Sequence, residues 1–436
     1  MRGLRSTLVL LVVLIGLVGY IYYRGRGGET ATDTREEVFA GVEADAIEEV
    51  RIKAADGETT LVRKVDNAWR VVEPLAAEAD SGELSSITSS LASLDIQRVV
   101  EENATDLKQY GLEPPRIEVA FRAKGDKEPR RIDFGERTPT GGDLYARLPD
   151  QKRVFLVASY LDSTFNKNTF ALRDKRVLKI DRDKADGLEV AGGSTPLQFA
   201  KSGSEWRMVK PYAARADFGA VEGAVERLAS AQMQSIVEPE GGSLAKYGLD
   251  KPTATLTVSM GSSRATLILG RTENALVFAK DLSRPMIFTV APTLKDDVVK
   301  PVSDYRRKDL FDARSFTASR IEITRGGEKL AFEKIKAGDK DVWRDAAGKD
   351  ADATKVEDML SRVTALRADA FEAAAPAALK SPVMTVTVRF DENKTETVAF
   401  GRDGGTVYAA RPDEPGAGRV DAMSFEEAVK AIDALK

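Results

Sequence analysis

Ser243 and Lys246, in the stretch "SLAK", have the S-x-x-K spacing in which a lysine can activate a serine for acyl transfer. No S-D-N or K-T-G partner occurs anywhere in the sequence, and a related segment carries Asp106 and Gln109 at the same two places. "SLAK" therefore reads as coincidence. The chain contains no cysteine and no histidine. Thiolate nucleophiles, disulfides, zinc-finger ligands, Ser-His-Asp triads and imidazole proton shuttles are excluded, which leaves carboxylate, lysine, tyrosine and hydroxyl chemistry.

Other chemical candidates weaken on inspection of their spacing. "DAAGKDADATKVE" (Asp345 to Glu357) is rich in oxygen ligands but lacks the D-x-D-x-D-G order that gathers them round one calcium ion, and it reads as a solvated turn and helix cap. "AGGST" (Ala191 to Thr195) has no following lysine and reads as a hairpin turn rather than a phosphate loop. No catalytic residue, metal ligand or cofactor site is expected. Two basic clusters, Arg173, Lys175 and Arg176 in "FALRDKRVLKID" and Arg306, Arg307 and Lys308 in "SDYRRKDLFDA", occupy equivalent junctions. They are candidates for docking an anionic partner or headgroup, against the plainer reading of linkers paired with nearby carboxylates.

The elements that would position these residues emerge from self-comparison. Trp69, Trp206 and Trp343 recur at an interval of 137 residues, and Pro74 with Pro211, Asp80 with Asp217, Gln97 with Gln234 and Pro115 with Pro252 keep the same register. After a small deletion, Asp352 and Pro382 continue it. Three diverged copies of one unit are expected at 42–178, 184–311 and 318–436, the third the most diverged.

Each copy reads as an antiparallel-rich α+β unit with helices packed on one side of a sheet. Alternating runs such as "EEVRIKA", "TTLVRKV" and "AWRVVEP" predict strands, with the tryptophans in the core. Asp80 or Ser81 then opens a helix whose stripe is Leu84, Ile87, Leu91 and Leu94; Phe218, Val221, Val225 and Leu228 repeat it. Four more strands and a second helix follow, and Gly135, Gly270 and Gly401 are expected to close the second of these strands at a turn.

The stretch "YGL" recurs at Tyr110 to Leu112 and at Tyr247 to Leu249. With Gly111 and Gly248 left-handed just past a helical turn, Leu107 and Leu112, or Leu244 and Leu249, fall at the touching positions of a Schellman cap. The third copy has Ala378 in place of the glycine and should end its turn differently. "YGL" is thus a joint in the chain rather than a binding site.

An address is legible at the N-terminus. Thr7 to Tyr23 is a charge-free run of seventeen residues, about the minimum for crossing a bilayer, flanked by Arg2, Arg5, Arg24 and Arg26. Tyr20, Tyr22 and Tyr23 stand where a signal-peptidase site would need small residues. An uncleaved transmembrane anchor at 7–23 is expected, after a short cytoplasmic segment at 1–6 and before a polar linker at 24–41. The bulk of the chain then lies outside the cytoplasm. A net charge of -4 argues against nucleic acid as a partner.

An anchor, a repeated "W-R" strand, "YGL-x-x-P", "FG" or "LG" after a strand, and the junction "YRRKDLFD" together resemble the bacterial family called domain of unknown function 4340. That resemblance implies a membrane-attached envelope protein on a bacterial inner membrane with its bulk in the periplasm, often associated with ABC-type exporters of the gliding-motility kind, and it brings no catalytic residues. The expectation is a non-enzymatic scaffold or accessory component of an export complex. The alternative is a periplasmic ligand or glycan binder presenting substrate to a transporter.

Overall fold

The computed structural model describes residues 36–338 and 340–436. The expected anchor at 7–23 and most of the linker lie outside them. Among the described residues no helix is long and apolar enough to cross a membrane.

Three large sheets dominate, antiparallel throughout, and two compact units contain them: the chain up to Asp174 with the first sheet, and Lys175–Lys436 with the other two. In the first sheet, strands Ile47–Lys53, Thr59–Val65, Ala68–Glu73 and Ala77–Glu78 step outward from the centre to one edge. Helix Ser81–Ala92 then carries the chain across one face to the short strand Arg98–Glu101 at the far edge. Strand Ile117–Ala123 returns to the centre beside Ile47–Lys53, and Arg130–Arg137, Asp143–Arg147 and Val154–Ala158 run out to meet Arg98–Glu101. The second sheet repeats this order strand for strand; the third lacks only the short outermost strand.

Local sequence explains the helices. Asp80, Asp217 and Asp352 each accept backbone N–H bonds from the first turn, so three aspartates at equivalent places satisfy donors that would otherwise be orphaned. Leu84, Ile87 and Leu91 are fully buried against Val50, Ile52, Val119, Phe121 and Phe134 of the sheet. In helix Phe218–Ser230 the buried stripe is Val221, Ala224, Val225 and Leu228, while Phe218 is 53% exposed. Phe218 was expected on the stripe; as the first helical residue it precedes the turn that settles against the sheet.

The "YGL" segments are Schellman caps. Gly111 and Gly248 have φ of 66° and 69°. Leu112 N–H donates to the Leu107 carbonyl at 3.0 Å and Gly111 N–H to that of Lys108 at 3.0 Å; Leu249 and Gly248 repeat the pair with Leu244 and Ala245 at 2.9 and 3.2 Å. In the third sheet the turn Ala377–Leu379 ends at Lys380 in the right-handed region, with no left-handed residue.

Gly135, Gly270 and Gly401 correct the sequence reading. They do not close strands; they lie inside Arg130–Arg137, Ser263–Glu273 and Lys394–Asp403. A Cβ at Gly135 would overlap the carbonyl oxygen of Tyr110, one at Gly270 that of Tyr247, and one at Gly401 that of Ala378. Each cap turn is thus laid on a strand at the one place without a side chain. "YGL" and the later "FG" or "LG" are two halves of one contact.

A fourth, two-stranded sheet was not expected. Glu36–Glu37 pairs with Asp95–Ile96, and Val38 N–H donates to the Leu94 carbonyl at 2.8 Å. Phe39 is buried, edge-on to Phe121 at 4.9 Å. The end of the segment read as linker therefore belongs to the first unit.

Candidate partner-docking junction

The two basic clusters occupy the strands that enter and leave each unit. Ala79 bridges Arg173 and Ala216 bridges Arg306; Arg176 then faces Gln232, and Asp309 faces Arg367. The correspondence differs from the sequence reading. Arg173 matches Arg306, but Arg176 matches Asp309, and Lys175 matches Lys308, since Met233 N–H donates to the Lys175 carbonyl and Ala368 N–H to that of Lys308.

Neither cluster forms an open cationic stripe. Arg173 is buried and Arg306 is 4% exposed. Lys175, Arg307 and Lys308 are half-buried, and Arg176 is the exposed member. In the second compact unit the reason is a mesh of charges around Asp309–Arg314. Arg215, 5% exposed, donates from Nε to Glu414 at 2.6 Å, to Asp312 at 2.9 Å and to the Asp309 carbonyl at 2.9 Å. Arg306 donates to the other Glu414 oxygen at 3.1 Å and to the Pro415 carbonyl at 3.0 Å, its guanidinium 4.2 Å from the Phe371 ring centre. Its Nε is buried and has no partner among the described residues.

A second carboxylate clamps the backbone. Glu396, on the strand Lys394–Asp403, accepts N–H bonds from Asp312 at 2.9 Å and Ala313 at 2.7 Å, and receives Arg411 at 2.7 Å. Arg411 also holds the Leu310 carbonyl at 2.9 Å. Burial by itself would raise the Asp312 carboxyl, but the Arg215 and Arg307 guanidiniums outweigh it and hold the group below the usual carboxylate range. The same device recurs at the second sheet of the same compact unit, where Arg284 donates to the carbonyls of Arg176 and Val177. Arg215, Arg306, Arg411, Glu396 and Glu414 are each engaged with backbone or an opposite charge, so the arrangement holds chain segments together.

The remaining sequence markers are also structural. Trp69, Trp206 and Trp343 sit on equivalent strands, each under a lysine, Lys64, Lys201 and Lys334, at 5.2, 5.4 and 5.0 Å. Trp206 and Trp343 are buried; Trp69 is half-buried, short of the expected core position. Trp206 donates to Glu222 at 2.8 Å, whereas the buried Trp343 indole N–H has no partner among the described residues. Tyr110 and Tyr247 each donate to a glutamate of their own sheet, Glu101 at 3.0 Å and Glu238 at 2.5 Å, and pack on Tyr145 and Phe278. Glu101 and Glu238 recur at the same interval as the tyrosines, a signal that sequence reading passed over.

One concavity stands apart. On the helix-free face of the first sheet a groove of about 560 Å³ is lined by Arg51, Lys53, Glu118, Arg131, Asp133 and Arg147, with Ala120 in its floor. Lys53 pairs with Glu118 at 2.7 Å and Arg147 with Asp133 at 3.1 Å. Burial pushes the Asp133 carboxyl up, only partly offset by Arg147. At the register positions of Ala120 and Arg131 the other sheets carry the hydrogen-bonded pairs Thr257–Thr266 and Thr387–Thr397, so Arg131 has no charged counterpart there, although Glu189 and Glu322 stand at the register position of Arg51.

The family described as domain of unknown function (DUF4340) matches residues 69–205 and 206–382, each match embracing most of one repeat. No curated protein matches the chain. Two crystal structures of the DNA polymerase sliding clamp from Pseudomonas aeruginosa, one with a ligand, align at 8% and 9% identity over 86% and 88% of this chain and 91% and 93% of theirs. Their TM-scores are both 0.16, and nothing follows from the likeness.

Proposed function

The chain belongs to the DUF4340 family, and from that premise we propose that it is a non-enzymatic, membrane-anchored repeat protein that spaces or binds subunits of an ABC-type export complex outside the cytoplasm. The observation that carries the reading is how the recurring residues are used. The tryptophans, the "YGL" caps, their facing glycines and the junction arginines all hold chain to chain. The charge-free run Thr7 to Tyr23, without a cleavage signal, supports the anchor and a periplasmic location. Partners would meet the outer surfaces of the units, because Arg306 and Arg173 are buried.

A ligand- or glycan-presenting role is the second reading, and the charged groove on the first sheet favours it. Purification of the full chain from detergent extracts separates the two. Co-purifying transporter subunits, undiminished by Arg131→Ala and Arg147→Ala, support the scaffold. Loss of a co-purifying saccharide or peptide in those variants, with no transporter subunit recovered, favours presentation. Alkaline phosphatase fused after Lys436 should be active; an inactive fusion would overturn the periplasmic assignment.

A further inference from the structure

The short edge ahead of each first helix is a seat for an antiparallel strand, and two of the three seats are filled from within the chain. In the first unit Asp80 N–H donates to the Leu172 carbonyl at 2.9 Å, and Asp174 N–H to that of Glu78 at 2.9 Å. In the second sheet Asp217 N–H donates to Tyr305 at 2.8 Å and Arg307 N–H to Arg215 at 3.1 Å, with Tyr305 packed 5.0 Å from Phe199.

The third sheet builds the same seat. Ala351 N–H donates to the Trp343 carbonyl at 2.8 Å, as Ala79 does to Trp69 and Ala216 to Trp206, and Asp352 caps its helix. Among the described residues, however, neither the Asp350 carbonyl nor the Asp352 N–H has a partner. Beside them opens a hollow of about 500 Å³ walled by Leu330, Phe332 and Leu435 and by Lys329, Lys355 and Lys436, Phe332 standing at the register position of Phe199. An unpaired edge beside a hollow of mixed character is a template for strand addition.

The complementary half lies at the other end of the described chain. Glu36–Glu37 pairs with Asp95–Ile96 as Arg176 does with Gln232 and Asp309 with Arg367. Val38, Val177 and Leu310 donate to Leu94, Ala231 and Leu366 at 2.8, 2.9 and 3.2 Å. In the two later instances the residues just upstream, Arg173–Asp174 and Arg306–Arg307, fill a seat. Upstream of Glu36 the corresponding residues are Thr34 and Arg35.

We propose that copies of this chain associate head to tail, the Thr34–Arg35 segment of one copy seating on Asp350–Asp352 of another. Thr34 then faces Ala351, and Arg35 lies directly opposite Asp350, a favourable cross-strand pair of opposite charges. The contact is heterologous, so each added copy presents a new seat and a new strand, and assembly either propagates or closes into a ring. It goes beyond the export-complex reading and does not depend on which partner that complex supplies.

The absence of cysteine makes the test direct. Residues facing each other in a non-hydrogen-bonded antiparallel pair have Cα atoms about 4.5 Å apart, within reach of a disulfide. Full-length Thr34→Cys and Ala351→Cys chains, mixed in membranes and mildly oxidised, should give a dimer that neither forms alone. The double variant should give a ladder. Asp350→Lys should lower the yield several-fold, and Arg35→Glu in the facing copy should restore it. Dimers of Ala351→Cys alone, closure of the double variant within one chain as a faster-migrating monomer, or no cross-link from variants that keep the parent melting temperature would each overturn the proposal.

Discussion

Glu414→Gln tests whether the buried ion mesh holds the second compact unit together. The Glu414 side chain is 5% exposed and serves two guanidiniums that are almost as buried, Arg215 at 2.6 Å and Arg306 at 3.1 Å. The substitution keeps volume and one acceptor but removes the charge. Arg215 retains Asp312 at 2.9 Å, whereas Arg306 is left with the Pro415 carbonyl and the Phe371 ring. Breaking a buried pair by removing one partner typically costs about 3 to 5 kcal/mol, because a charge is stranded in a poorly solvating site. The remaining bond to Asp312 places the expected loss toward ~3 kcal/mol. In a Trp69→Phe background the two remaining tryptophans, Trp206 and Trp343, both lie in that unit, so urea unfolding followed by fluorescence reports on it alone. Pairing Glu414→Gln with Arg306→Met should recover more than half of the loss, since the stranded charge is gone. A loss under about 1 kcal/mol, or no recovery in the double variant, would mean that water reaches these groups and that the mesh is only a set of surface pairs.

The cap contact predicts an order among glycines. Gly248→Ala should cost about 1 kcal/mol through its left-handed backbone, and Gly270→Ala about 2 to 3 kcal/mol, because its Cβ must displace the Tyr247 carbonyl; the reverse order in urea melts would refute the lap of cap on strand. Acidification should weaken the second compact unit in a defined direction. The Asp312 carboxyl is held below its unfolded value of about 3.9, so its contribution is present above that pH and lost as pH falls through the lower folded value. Asp312→Asn should flatten the acid limb of the urea midpoint below about pH 4; an unchanged limb would show that other carboxylates set it.

Much of the unit was legible because it is written in short-range spacing. Asp80, Asp217 and Asp352 lie next to the turns they cap, and Leu107, Gly111 and Leu112 form a Schellman motif within six residues, so offset and residue type suffice. The 137-residue recurrence of tryptophan marks equivalent strands for the same reason, since each copy folds by the same local rules. The N-terminal strand escaped notice because two residues are too few to show an alternation.

What the tertiary structure decided are the matters whose cause lies far away along the chain. Gly135 and Gly270 look like turn residues in sequence; only the arrival of the Tyr110 and Tyr247 carbonyls over their strands shows why a side chain is missing there. Arg306 and Arg215 look like solvated cations because nothing nearby marks their partner, Glu414, which lies 108 and 199 positions away. A charged side chain carries the same letter whether it is hydrated or desolvated. Its environment is set by which distant backbone arrives to exclude water, and that is a property of packing, to which periodicity along the chain is blind.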